Sequence, residues 1–180
     1  MKYIKSIKEL RSLIKDGKLD IDNTPGIYRW WFKEEGALKL LENLPPINDA
    51  LYLERFIEGE KYLALYFGIS KNIRDRIKWH ICQNHTPSTV ESGYLSTLRQ
   101  TISALLHEKM TASQDALNDF IDNKCYLEWD YATNKQEAEE IENKELSQQQ
   151  YAYPLNIAKN ETVSKEHLKA LSKLRSDYNK

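Results

Sequence analysis

The chain has 180 residues, the length of one domain with a sizeable core, and its 26 Lys and Arg against 27 Asp and Glu give a net charge of −1, so overall basicity argues for no nucleic-acid role. An apolar fraction of 41% with 29% charged residues, six glycines and five prolines fits a globular chain and excludes collagen-like, low-complexity and disordered classes. No stretch reaches the roughly 18 apolar residues of a membrane span, residues 1–18 lack a signal peptide's apolar core, and Cys82 and Cys125 fit reduced thiols better than a disulfide framework; a cytoplasmic location without membrane partners is expected.

From Ser6 to Asp16 the apolar residues Ile7, Leu10, Leu13 and Ile14 recur at spacings of three and four, which predicts a helix stopped by Gly17. Residues 1–24 thus read as a helical cap. Pro25-Gly26 introduces Ile27 to Phe32 as the first core strand, and Tyr62 to Ile69 reads as a second, antiparallel to it. Between them, residues 33–60 form an insertion with a helix-like stretch at Ala37 to Leu44, a Pro45-Pro46 break and a polar turn at Glu58-Gly59-Glu60. Ser70 is placed to cap the next helix, whose Ile73, Ile77 and Ile81 continue a four-residue spacing from Ile69.

Helices follow at Leu95 to Leu106 and Ala116 to Ile121, then a third strand at Cys125 to Tyr131 and a helix from Lys135 to about Gln150. Tyr153-Pro154 breaks the chain, and residues 158–180 carry a basic terminal helix with Leu168, Leu171 and Leu174. The order predicts an α+β domain with a small, mostly antiparallel three-stranded sheet flanked by helices, single and compact overall.

No phosphate-binding glycine loop, serine-hydrolase elbow or paired Cys-x-x-Cys occurs, and His80, Cys82 and His85 match no standard zinc spacing. A more specific pattern joins Gly26-Ile27-Tyr28 in the first strand, Tyr66-Phe67-Gly68 ending the second, Arg76 and His80 on the following helix, Glu142 on a later helix and Asn156 after Pro154. In this order and on these elements, the residues resemble the GIY-YIG nuclease family over about residues 25–157, and the Arg-x-x-x-His helix is closer to its restriction-endonuclease-like branch. Two departures are visible: Tyr28 and Tyr66 lie 38 positions apart because of the insertion at 33–60, and Phe67 stands where the name motif has isoleucine.

The resemblance implies a metal-dependent endonuclease acting on DNA, expected to be double-stranded, with Mg²⁺ bound by Glu142 and Mn²⁺ able to substitute. It implies a site of Tyr28, Tyr66, Arg76, His80, Glu142 and Asn156, with Tyr28 as general base; Glu145 is the competing metal ligand. Independently of family, Arg76 and His80 lie one turn apart, at the rim of the isoleucine stripe, where Arg76 can hold a phosphate and His80 can donate to it or pass a proton. Tyr66 to His80 carries a net +3, with Lys71, Arg74 and Lys78 as candidate DNA contacts; Asn134 to Leu146 carries −3 and Lys159 to Arg175 +3. Trp79 reads as a core-edge aromatic or a base-stacking surface. An inactive nucleic-acid-binding or protein-interaction module of the same fold is the alternative. Because one site cuts one strand per event, a double-strand break needs a homodimer or two successive nicks.

Overall fold

The computed structural model describes residues 1–47 and 51–178, so part of the stretch 33–60 lies outside the described residues. In chain order its first half holds β1 (Tyr3–Ser6), α1 (Ile7–Lys15), β2 (Gly26–Lys33), α2 (Glu34–Leu41), β3 (Leu51–Tyr52), β4 (Glu54–Ile57), β5 (Glu60–Ser70) and α3 (Ile73–Cys82). Then come α4 (Pro87–Glu91), α5 (Thr97–Leu105), α6 (Gln114–Lys124), β6 (Cys125–Tyr131), α7 (Lys135–Ser147), β7 (Tyr151–Ala152) and α8 (Lys165–Tyr178).

Among the described residues the main sheet has five strands in the order β1-β6-β2-β5-β4, every pair antiparallel, and β3 pairs with β7 in a separate parallel ribbon. The α+β class stands; the expected three strands become five. Both additional strands lie at the edges and are four residues long, too short to show a period of their own. β1 exists because it finds β6 far along the chain, with the Tyr3 and Trp129 rings stacked at 5.5 Å. Residues 1–24 therefore contribute a strand as well as the predicted helix. β4 forms inside the insertion as a hairpin with β5, closed by Glu58 and Gly59 at φ 53° and 81°, the paired positive dihedrals of a type I′ turn.

β2 and β5 are the central pair. One face of the sheet carries Tyr28, Trp30, Phe32, Leu63 and Leu65 into a core shared with Ile73, Ile77 and Ile81 of α3 and Leu171 of α8; the other packs Trp31, Ala64 and Phe67 against Ala138 and Leu146 of α7. The cap of α3 is Asn72 rather than Ser70: the Asn72 side chain accepts from the Asp75 N–H, while the Ser70 hydroxyl bonds the Asn72 backbone. Ser70 is still strand, two residues too early to cap. Ile69 likewise stays in β5 and packs on the opposite face from the isoleucines of α3. No helix among the described residues is long and apolar enough to cross a membrane.

Candidate active site

Antiparallel pairing of β2 with β5 sets Tyr28 directly across from Gly68. A Cβ on Gly68 would lie 2.5 Å from both Cζ and Oη of Tyr28, so the glycine is what lets the phenol ring lie over the neighbouring strand. Tyr28 is 2% exposed, and its Oη lies 2.7 Å from Nε2 of His80.

His80 was expected at the rim of α3, free to meet a phosphate. It is instead buried at 1% exposure, because Ser96 and the loop before it close over the ring. Both ring nitrogens are engaged: Nε2 with Tyr28 and Nδ1 with the Ser96 Oγ at 2.5 Å. Ser96 caps α5 and also accepts the Arg99 N–H, so the turn that starts this helix fixes the imidazole. The sequence reading missed Ser96, whose only signal is its place before the apolar run of α5. Burial, then the positive charges of Arg76 and Arg99, hold His80 well below the ordinary histidine range, so it is neutral at pH 7. Tyr28 is pushed well above the ordinary phenol range by burial and by Tyr66, and Arg76 opposes the shift.

Tyr66 reaches the same side of the sheet through a bulge. Trp30 pairs with Tyr66 but Trp31 with Ala64, which leaves Leu65 as the extra residue on β5. Strict alternation would send Tyr66 to the face of Ala64; the extra residue turns it toward Tyr28, with ring centroids 6.3 Å apart, and sends Phe67 to the other face. The bulged edge is bonded from outside: the Leu155 N–H donates to the Leu65 carbonyl, and the Asn156 amide accepts from the Phe67 N–H at 2.9 Å and donates to the Phe67 carbonyl at 2.7 Å. Asn156 is thus a side-chain substitute for a missing strand, and its amide is committed to that task.

Beyond Tyr66 lies a cavity of about 290 Å³ lined by Glu142, Asn156, Thr97, Lys159 and Arg175 among others. Glu142 makes no hydrogen bond or ion pair among the described residues. Burial raises its pKa and Lys159 opposes the rise. Glu145, one turn on, is committed elsewhere: it accepts from the Tyr153 hydroxyl at 2.5 Å and pairs with Arg29 at 3.3 Å. Arg175 is held from α8 by a bond to Gln100, and the sequence reading had counted it and Lys159 only as part of a basic stripe. Arg76 keeps its expected rim position, with its guanidinium 4.7 Å from the Trp79 ring centroid and within electrostatic reach of both Tyr28 and His80. It lines a second cavity together with Lys71; Arg74 and Lys78 line neither.

The structure therefore joins Tyr28, Tyr66 and His80 by direct contact, sets Arg76 and Glu142 around them, and gives Asn156 a bracing position. No group of three or more His, Cys, Asp or Glu among the described residues is arranged to hold a metal, which leaves Glu142 as a lone carboxylate facing a cavity. A family model of the GIY-YIG catalytic domain matches residues 26–177. The chain belongs to the GIY-YIG family. It is thereby a nuclease-type domain. No curated protein and no solved structure was found to match it. The family match begins at the first residue of β2 and runs into α8, so it takes in the helix that carries Arg175, beyond the residues whose motifs first suggested the GIY-YIG family.

Proposed function

We propose that this GIY-YIG protein is a Mg²⁺-dependent endonuclease that hydrolyses phosphodiester bonds of double-stranded DNA, with Tyr28 as general base and His80 as its proton acceptor. The observation that carries the reading is the 2.7 Å contact between the Tyr28 hydroxyl and a buried, neutral His80 beside a cavity lined by a carboxylate and two cations.

Hydrolysis needs a water made nucleophilic, compensation of charge on the phosphate oxygens and help for the departing alkoxide. The tautomer assigned to His80 is the one that donates Nδ1–H to Ser96, in which Nε2 accepts the Tyr28 hydroxyl proton. The phenol oxygen in turn takes a proton from water as the water oxygen bonds to phosphorus and the bridging P–O bond breaks. An ordinary phenol has a pKa of about 10, and burial raises this one further, so a free phenolate is not available at neutral pH. Passing the proton to His80 in the same motion removes that requirement.

Arg76 makes no hydrogen bond among the described residues and can offer paired donors to the phosphate. Tyr66 faces the cavity and can orient water or phosphate, with Lys159 and Arg175 adding positive charge. The donor set fits Mg²⁺, which is commonly held by one or two carboxylates with water in its remaining positions, and Glu142 has no protein partner to give up. When bound, the ion supplies charge compensation for the phosphate and the leaving alkoxide, and Mn²⁺ suits the same oxygen donors. Asn156 acts through β5, keeping Tyr66 and Gly68 in register. A homodimer would allow both strands of a duplex to be cut.

The test is incubation of purified protein with supercoiled plasmid in Mg²⁺ and then Mn²⁺, with EDTA and a Glu142→Ala protein as controls. Metal-dependent nicking or linearisation that disappears in both controls is expected. A plasmid that shifts in a salt-sensitive way but is never cut would replace this reading with a binding module.

A further inference from the structure

A cavity of about 560 Å³ is lined by Arg76 of the candidate active site together with Ser70, Lys71, Asn72, Asp75, Trp79, Tyr94 and Lys135 among others. Its two ends differ chemically. One is basic: Lys71, Lys135 and the opening turn of the ten-residue helix α3 line it, and the helix dipole favours anions there. The Ile73 and Asp75 N–H groups already donate to Thr24 and Asn72, and Lys135 also pairs with Glu139 at 2.8 Å. Asp75 is the one acidic residue of the lining, and its carboxylate is engaged by the Asn72 amide at 2.7 Å.

The other end is aromatic. Tyr94 is 72% exposed, with its ring 5.5 Å from that of Trp79. Trp79 is covered by His80 at 6.0 Å and by the Arg76 guanidinium at 4.7 Å, so the open ring surface is that of Tyr94. An exposed aromatic on a mobile loop would be unremarkable, but this loop is pinned. The Gln83 side chain donates to the Tyr94 carbonyl at 2.6 Å and accepts from the Ser96 N–H at 2.7 Å, tying the loop to the residue that fixes His80.

We propose that this cavity takes one unpaired nucleotide of the DNA next to the cut, with its base stacked on Tyr94 and its phosphate at Lys71, Lys135 and the start of α3. The assignment rests on the nuclease reading for its choice of DNA as ligand, and adds a substrate class: DNA with an open or unpaired base beside the scissile phosphate. Charge complementarity selects a phosphate at one end, and a π-face at the other accepts any base, which gives affinity without sequence preference. Arg76 lines this cavity and also acts electrostatically on Tyr28 and His80, which ties occupancy here to the candidate active site.

Oligonucleotides carrying 2-aminopurine at a mismatched position, titrated into the full-length protein in EDTA, read stacking without cleavage. The wild type is expected to change the probe's fluorescence and to bind the mismatched duplex more tightly than the perfect one. Tyr94→Ala should abolish the fluorescence change and weaken binding by roughly 5- to 100-fold, Tyr94→Phe should restore both, and Lys135→Ala should lower the salt dependence of binding by about one counterion. Phe56→Ala, which removes a ring 71% exposed on the sheet edge, should change nothing. Equal binding and fluorescence for wild type and a folded Tyr94→Ala protein would overturn the subsite, even if the protein cuts plasmid. A fluorescence change that depends on Tyr94 in a protein that never cuts would keep the subsite and remove the nuclease reading. Absence of any DNA binding would overturn both.

Discussion

Gly68→Ala should damage activity far more than its size suggests. The added methyl would lie 2.5 Å from Cζ and Oη of Tyr28 and 3.0 Å from its Cε2. Tyr28 cannot swing aside, because it is 2% exposed and bonded to His80, so either the ring or β5 must move. Overpacking of this kind costs about 1–3 kcal/mol, and at about 2–4 °C per kcal/mol for a chain of this length the melting temperature should fall by roughly 2–12 °C. The displaced phenol would lose its line to His80, and misplacement by about 1 Å is enough for a 100-fold loss of rate. Gly36→Ala gives the contrast: in α2 the new methyl meets Phe120 at 3.4 Å, an ordinary contact, and should stabilise the helix by about 0.4–1 kcal/mol without changing incision. Thermal melts and plasmid incision at matched protein concentrations read both effects. A Gly68→Ala protein that melts and cuts like wild type would refute the role assigned to the close approach of these strands.

Asn156→Ala leaves the Phe67 N–H and carbonyl without their side-chain partner, at about 1–3 kcal/mol for each buried group, so a lower denaturation midpoint with impaired incision is expected; unchanged stability would remove the bracing role. Ser96→Ala frees the His80 ring and the first turn of α5, and should cost about 1 kcal/mol of stability while lowering incision at least tenfold, with partial rescue by Thr; incision at the wild-type rate would count against the relay. Stability should also depend on pH. Burial, then Arg99, lowers His85 to about 4, and His80 is depressed by burial and its two arginines. The unfolded chain binds these protons near pH 6.5 and the folded chain does not, so the contribution is full above that pH and is lost as pH falls below it. The slope is up to about 1.4 kcal/mol per pH unit for each histidine. Guanidinium titrations at pH 7.5 and 5.0 should show the loss, and His85→Gln should shallow it; equal midpoints for the wild type at both pH values would contradict the burial argument.

The strands β2, β5 and β6 and the helix α3 were legible because each carries its own signal, a β-rich aromatic run or isoleucines at four-residue spacing. β1 and β4 were not, since a four-residue strand exists only through its partner. The bulge at Leu65 could not be read from β5 alone: alternation there sends Tyr66 away from Tyr28, and only the register against β2 reverses it. For the candidate site, the sequence motifs named the residues but misjudged depth. His80 looked like a rim residue because helical spacing gives an angle and not the height of the neighbouring elements; Ser96 and the loop before it close over the ring. Glu142 and Glu145 were indistinguishable in sequence and are separated by their surroundings, one facing a cavity and the other bonded to Arg29 and Tyr153. Arg175 comes from the far end of the chain, where nothing local marks it as different from its lysine neighbours.

Tyr28→Phe tests the central claim most directly, because it removes one oxygen and keeps the ring that fills the space over Gly68. Under single-turnover conditions with plasmid and Mg²⁺, the variant should remain folded and bind DNA like wild type, with incision slowed by about 10²- to 10⁴-fold, the range of a lost general base. Wild-type incision by a folded Tyr28→Phe protein would contradict the assignment of the Tyr28–His80 pair as the group that activates water.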